Sequence, residues 1–513
     1  MMDFLDPKKS RAATTRLITG YVLVAIAIVL ATNLLLDLAS GYNVKQGKVV
    51  QNGLVFVSSA PGGASIYLNG KTQDSQTNAR LTLQSGTYTM RLARSGYRDW
   101  QRALTVEGGS VEHFDYPLLI PNDLKVATTA SYQTAPLLTT QSPDRRWLLT
   151  QTAGSGSSFD MYDLRDPEVV AARKTSAALP VSLLNLPQTG DQTFQLAEWA
   201  RNNTHVLLKH MVGNQFEYIL FSREKPSESV NLTKQLKLTA NTEITLQDKK
   251  YDRYFVHDKM AQTLSTATLG DATAKPLLTG VLQYKSYGND VVLYATQSGA
   301  TAGNVAVKLY QDEKSYTIRQ IAKQDVAKVD VGSKDVGTRK EAYLLDVTTY
   351  DNDWYVALGA PSEDHVYVYR NPVERLKQDV TLPLIPVEIL KVASPTYMEF
   401  SANSQFVMIE SDRDIAVFDA ENERSYTYKL DRPVDAPQLH VTWMDGHRLQ
   451  FVSNGALTIV DYDGSNAQTL IVGGAAYLPV FDTLYKTLYT FAPGTASGSW
   501  ILSTASLRTA QDQ

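Results

Sequence analysis

Asp461-Tyr462-Asp463-Gly464-Ser465-Asn466 sets two carboxylates, a glycine and a hydroxyl in the order that opens a calcium loop. Such a loop also needs a bidentate glutamate at its twelfth position, which here is Val472. The same residues suit a tight hairpin, because Asp, Gly and Asn favour turns. The histidines are His113, His205, His210, His257, His365, His440 and His447. None forms the His-Glu-x-x-His pair of a zinc hydrolase. His440 and His447 flank an expected turn and read as surface-loop residues. Asp351 and Asp353 are paired carboxylates, but at turn positions where Asp is favoured anyway. There is no Gly-x-Ser-x-Gly nucleophile elbow and no Walker loop. Cysteine is absent, which excludes disulfides, thiolate catalysis and cysteine-ligated metal. The sequence therefore assigns no catalytic, cofactor-binding or metal-ligating residue, implies no cofactor, and leaves the binding residues unknown. Tyrosine is abundant at 28 residues. Tyr367, Tyr369 and Tyr397 are able to stack on sugars or peptides, although aromatic residues in strands serve the core first.

The elements that would carry these residues recur. From about residue 121 a weak repeat of roughly 40–50 residues has a polar turn, a strand, a gap and a second strand. Five copies are clear. They run from Ser142-Pro143-Asp144 to Phe159–Leu164, from Trp199 to Glu217–Phe221, and from Tyr350 to His365–Tyr369. Two more run from Phe400 to Asp414–Asp419 and from Trp443 to Ala456–Asp461. Less regular copies begin at Tyr251, Tyr287 and Phe481. One such unit cannot bury both faces of its sheet, so neighbours must cover it and the ring must close. The copies resemble blades of WD40-like and TolB-type β-propellers. In that resemblance Asp461–Asn466, followed by Thr469-Leu470, corresponds to the hairpin joining a blade's two outer strands. The count is about eight blades, with seven as the alternative. Asp123–Thr128 alternates like a strand and precedes the first full copy, while the last copy lacks residues for its outermost strand. The segment is expected to pair with the last blade, because an open ring leaves apolar faces and a bare edge in water.

Ahead of the repeats, short period-two strands are separated by Asn69-Gly70, Ser85-Gly86, Gly96-Tyr97 and Gly108-Gly109. That spacing suggests a small β-sandwich. Its expected core is Ile66, Leu68, Leu83, Tyr88, Leu92 and Val106. The run Val55–Gly70, containing Pro61-Gly62-Gly63-Ala64, then Leu81–Tyr88 and Ser95-Gly96-Tyr97, resembles a PEGA domain. That family is named for Pro-Glu-Gly-Ala, so Gly62 stands where the signature has Glu. The resemblance implies a small β-sandwich common in bacterial envelope proteins, and brings no catalytic residues with it.

Leu17 through Leu36 carries no charge, and a helix of about 20 residues spans a bilayer core of about 30 Å. Lys8, Lys9, Arg11 and Arg16 precede it, against Lys45 and Lys48 after it, which favours a cytoplasmic N-terminus. The run is longer than a signal-peptide core, and Leu38-Ala39-Ser40 is a poor cleavage site. The expected organisation is a cytoplasmic tail at 1–16, a signal-anchor helix at 17–38, a linker at 40–53, a PEGA-like β-sandwich at 54–120 and a β-propeller at 121–513. The body is thus expected to be all-β, held at the cell membrane by one pass and facing away from the cytoplasm.

The formal charge of −4 and the lack of a basic stretch argue against nucleic acid as a partner. The function most consistent with these features is a binding or scaffold protein whose propeller presents a surface to an envelope protein, peptide or glycan. An envelope hydrolase or lyase with a site in the propeller channel is the second reading, since a ring can collect one residue per blade. A structural surface-layer component is the third.

Overall fold

Ile66 and Leu68 are buried while Ser65 and Tyr67 are only half-buried, which is the alternation that makes Ser65–Leu68 a half-covered strand. The same period repeats through the first folded region of the computed structural model. That model describes residues 7–39, 42–45, 48–171, 173–187, 192–324, 342–378, 384–435, 440–474 and 477–512. The chain divides into two units, one of residues 1–123 with 508–513, the other of residues 124–507.

In the first unit, helix Pro7–Ala39 has an apolar segment, Thr14–Asn33, with mean hydropathy 1.9 and no burial against protein. Two four-stranded sheets follow. One holds Tyr42–Lys45, Lys48–Val57, Ala79–Gln84 and Val111–Phe114, the last paired parallel to Lys48–Val57. The other orders Lys71–Gln76, Ser65–Leu68, Gly86–Ala93 and Trp100–Val106. Strand Lys48–Val57 starts inside the segment expected to be a linker at 40–53, and Tyr42–Lys45 pairs with it. Val49 and Val50 supply the β-branched residues that a linker reading passes over. Ile66, Leu68, Leu92 and Val106 are buried as expected. Leu83 and Tyr88 are only half-buried, because they flank the Ser85-Gly86 turn at the wet end of the sheet. There the Tyr88 hydroxyl donates to Gln84 O at 2.9 Å. The core is completed by Val55, Val57, Met90, Trp100 and the non-strand residues Leu119 and Ile120.

The second unit contains eight four-stranded sheets among the described residues. Blades 1 to 4 open with strands Pro136–Gln141, Gln192–Trp199, Thr242–Leu246 and Val281–Tyr287. Blades 5 to 8 open with Leu344–Tyr350, Tyr397–Phe400, Thr442–Trp443 and Val480–Phe481. Each sheet is antiparallel and runs outward in chain order for blades 1 to 7. Second strands such as Val291–Thr296 and Arg448–Ser453 are buried along their whole length, since neighbours cover both faces. The fourth strand Arg424–Lys429 is mostly exposed and rich in charge and Tyr, which blunts an outer edge. Apolar clusters fill the gaps between blades; Phe159 of blade 1, for example, meets Phe194 and Phe221 of blade 2 at ring distances of 5.2 and 5.1 Å.

Blade 8 takes its fourth strand from the other end of the propeller sequence. Val126–Tyr132 pairs antiparallel with Trp500–Ser506, so the ring closes as the sequence requires, a few residues later than the expected 123–128. The eight copies recognised in sequence are the second and third strands of the eight blades.

Candidate functional site

The opening strands carry a chain of polar latches that passes from blade to blade. Trp199 Nε1 of blade 2 donates to Thr140 Oγ1 of blade 1 at 2.8 Å. Glu198 accepts from Leu246 N of blade 3 at 2.8 Å, and Thr245 meets the Tyr284 hydroxyl of blade 4 at 2.7 Å. The Gln283 amide donates to Tyr343 O at 2.6 Å and accepts from Tyr343 N at 2.9 Å. Asp346 of blade 5 accepts from Phe400 N at 3.0 Å, and Trp443 Nε1 of blade 7 donates to Glu399 O at 3.1 Å. The Tyr485 hydroxyl of blade 8 donates to Met444 O of blade 7 at 3.0 Å, and Gln141 of blade 1 donates to Phe481 O of blade 8 at 2.7 Å. Every adjacent pair of blades is therefore bridged. A buried polar group must be satisfied, and these side chains satisfy one another or neighbouring backbone.

The opening strands also carry charge, including Glu198, Lys285, Asp346 and Glu399, from blades 2, 4, 5 and 6. Lys285 Nζ lies 3.9 Å from Asp346 Oδ1. Burial pushes the Glu399 carboxyl up, with Lys285 opposing it, and burial does the same to Glu198 against the Leu246 N–H bond. Two of the three carboxylates are thus spent on backbone N–H groups, which is a structural role. No linear motif marked this group, since its members come from four separate repeats. The only available signal was a charged residue inside an opening strand.

The paired carboxylates Asp351 and Asp353 do reach a concave surface. A cleft of about 650 Å³ lies between blade 5 and the outer hairpin of blade 6. Tyr350, Asp351, Asp353, Tyr355 and Arg370 form one wall, and Ala420, Glu421, Asn422 and Glu423 the other. Arg370 Nε donates to Asp353 Oδ2 at 2.6 Å, and its NH1 reaches Glu423 Oε1 at 3.0 Å. The Asn371 amide bond and then Arg370 hold the Asp353 carboxyl below its ordinary range. The Tyr350 hydroxyl donates to Glu421 Oε2 at 3.1 Å, and burial followed by that carboxylate pushes the phenol up. Tyr350 is therefore a neutral donor at physiological pH, not a base. Four carboxylates and one guanidinium line the cleft, and Arg370 pairs with only Asp353 and Glu423, so the cleft suits a cationic group.

The remaining candidates have structural duties. Asp461 and Asp463 hold the blade 7 hairpin: Asn466 Nδ2 donates to Asp461 Oδ2 at 2.8 Å, and Ser465 N to Asp463 Oδ1 at 3.0 Å. Gly464 has φ 84° there, the conformation that glycine tolerates. A Cβ on it would also lie 2.6 Å from the Tyr428 ring. Tyr367 and Tyr369 are buried between blades, as strand aromatics should be, while Tyr397 is half-buried and stacks on His440 at 4.2 Å. His440 and His447 lie outside the strands, as loop residues would, and are half-buried. The Tyr397 ring covers one and Phe406 the other, the latter at 5.5 Å. His210 is wholly buried against Phe194, bonded to Glu217 at 2.9 Å and Gln192 at 3.1 Å. His257 bonds Val281 O at 2.9 Å, and burial pushes its imidazole down toward the neutral form. Among the described residues, no group of three or more His, Asp or Glu side chains is arranged to hold a metal ion.

Residues 52–120 match the PEGA domain family. No curated protein matches the chain. Among solved structures it is similar to the Dos1 propeller, at 13% identity and a TM-score of 0.44, covering 75% of this chain and 96% of that one. It is also similar to protein lmo1340 of Listeria monocytogenes, at 12% identity and a TM-score of 0.38, covering 69% and 93%. An oligogalacturonate lyase in complex with manganese matches at 12% identity and a TM-score of 0.37, covering 75% and 99%. At TM-scores below 0.5 these likenesses carry no argument, and the propeller rests on the eight sheets described above. The chain carries a PEGA domain at residues 52–120 followed by an eight-bladed β-propeller.

Proposed function

We propose that this chain is a membrane-anchored, extracytoplasmic binding or scaffold protein whose propeller offers the cleft between blades 5 and 6 to a cationic segment of an envelope protein or peptide. The anchor half of the reading rests on Thr14–Asn33, uncharged from Leu17 onward and packed against no protein, with Lys8, Lys9 and Arg11 ahead of it and Arg16 in its first turn. The PEGA resemblance and the TolB-type hairpin at Asp461–Asn466 support an envelope setting. The observation that carries the binding half is the cleft, in which Asp351, Asp353, Glu421 and Glu423 face a single Arg370. A binding role also fits side chains whose polar groups latch blades or shape turns.

Photo-crosslinking tests it. A photoreactive residue replaces Asn422 in the anchored chain within native membranes, and cross-linked partners are identified. A partner segment rich in Lys or Arg is expected, with yield lost in the Glu421→Gln/Glu423→Gln background. Undiminished cross-linking in that background, or cross-links to acidic or purely apolar segments, would overturn the assignment of the cleft. Protease added to intact cells checks the anchor separately, and a protected body would reverse the topology.

A further inference from the structure

Residues 508–513 fall in the first unit, although the chain reaches them only after the last propeller strand. The described part of that segment is held by specific bonds to the sandwich. The Tyr97 hydroxyl accepts from Thr509 N at 2.9 Å and donates to Asp512 Oδ2 at 2.8 Å. The Arg94 guanidinium is bonded to Asp512 Oδ1. Inside the segment, Asp512 N donates to Thr509 O at 2.9 Å and Thr509 Oγ1 to Asp512 Oδ2 at 3.0 Å. Thr509 and Asp512 thus form a small closed turn that presents one carboxylate. Asp512 is 14% exposed at its side chain and Tyr97 4% overall, so these bonds are largely shielded from water. Charge-assisted bonds of this kind are stronger than neutral ones.

The receiving surface is built from two PEGA turns. Gly63, with φ 77°, leaves room for Arg94; a Cβ there would stand 3.3 Å from the Arg94 NH1. Gly96, with φ 81°, does the same for Thr509, whose Cγ2 would be 3.2 Å from an added Cβ. Tyr97 is fixed from behind by a bridge to Pro121, with Arg98 N donating to Ile120 O at 2.8 Å. Gly62 needs no such space, since a Cβ there would meet only ordinary contacts with Thr77 and Asn78.

We propose that the Arg94–Tyr97 bend is a recognition site for an acidic Thr-x-x-Asp segment, and that residues 509–512 of this chain fill it as a reversible strap. The site supplies one guanidinium for the carboxylate and one hydroxyl that both donates to it and accepts from the backbone. The strap ties the chain beyond the propeller back to the sandwich, and it blocks the site against a similar segment from elsewhere. This goes beyond the cleft reading and does not depend on it.

The test uses the full chain in detergent micelles and exploits the absence of cysteine. A spin label on Gln511→Cys is then the only one in the protein. In the otherwise native chain its spectrum is expected to be immobilised and unchanged on dilution. Tyr97→Phe keeps the buried ring and removes the hydroxyl. It is expected to raise the ratio of mobile to immobile label by about tenfold, and Arg94→Ala at least as much. A peptide of residues 506–513 is expected to bind the chain deleted for 508–513 and to bind the intact chain at least about tenfold more weakly. Equal label motion in the native and Tyr97→Phe chains, or equal peptide binding to the intact and deleted chains, would overturn the proposal. So would immobilisation that disappears on dilution, since that marks a segment exchanged between copies.

Discussion

The PEGA domain and the propeller are both all-β, yet they reach stability by opposite routes. The domain has one core, and part of it comes from irregular chain: Tyr97 sits at an isolated bridge just after the Ser95-Gly96 turn, and Leu119 and Ile120 lie outside any strand. Among the described residues the propeller has separate apolar clusters at six blade junctions, plus a polar latch across each junction. A defect in the first should spread through the whole small unit. A defect in the second should stay local unless it opens the ring. The one propeller junction that depends on distant sequence is blade 8.

Opening that junction gives the largest expected effect. Deleting residues 126–132 strips the fourth strand from Trp500–Ser506 and exposes its edge. The loss of propeller stability should exceed about 5 kcal/mol and be accompanied by aggregation. Thermal melting with light scattering measures both. A deleted chain that melts at the native temperature would make the comparison wrong, because closure would then contribute nothing special.

Within the PEGA domain, Trp100 is 1% exposed and among the largest buried side chains. Trp100→Ala should cost about 3–5 kcal/mol, while the half-buried Leu83→Ala should cost about 1 kcal/mol. Denaturant titration of the intact chain, followed by exchange at domain amides, separates the two. Equal losses would restore Leu83 to the core.

The Trp100 and Leu83 pair also shows what the sequence reveals. Alternation picks out Ile66, Leu68, Leu92 and Val106, because a strand's period is local. It misplaces Leu83 and Tyr88, because whether the end of a strand is covered depends on the partner sheet. Blade repeats are readable since most second strands are runs of aliphatic and aromatic residues set off by polar turns. Ring closure was readable too, because an unfilled edge must find a strand. Glu198, Asp346 and Glu399 were not readable as a group, since only the ring brings three repeats together. The cleft was half readable: Asp351 and Asp353 stood out, but Glu421 and Glu423 look like any polar hairpin until the blades are side by side.

Asp163 offers a subtler probe of blade 1. Burial alone would push its carboxyl up, but Arg165 and Arg146 outweigh this and hold it at about 2. A folded-state value below the ordinary 3.8 means the stabilisation is complete above about 4 and is lost as pH falls toward 2. The shift corresponds to about 2 kcal/mol in all. Asp163→Asn should therefore flatten the acid limb of the stability curve between about pH 4 and pH 2 while leaving the neutral limb parallel. If the two curves keep the same slope, the guanidinium pair does not act on this carboxyl.

The smallest effect on folding, and the most informative about function, belongs to Glu423 in the cleft. Its pair with Arg370 at 3.0 Å is exposed, with 61% of the Glu423 side chain and 41% of the Arg370 side chain accessible. Exposed pairs contribute about 0–1 kcal/mol. Arg370 keeps Asp353 as a partner in any case. Glu423→Gln should therefore leave melting nearly unchanged, unlike any core change in the PEGA domain. Its effect on a cationic partner is different in kind, because it weakens the negative potential of the whole cleft and slows encounter more than it speeds release. Association measured at low and high salt should show a reduced on-rate at low salt that converges with the native value as screening rises. A variant that melts early would assign Glu423 to the fold. An unchanged on-rate at low salt would remove the cleft's charge from recognition and leave the ring with a structural role on that face.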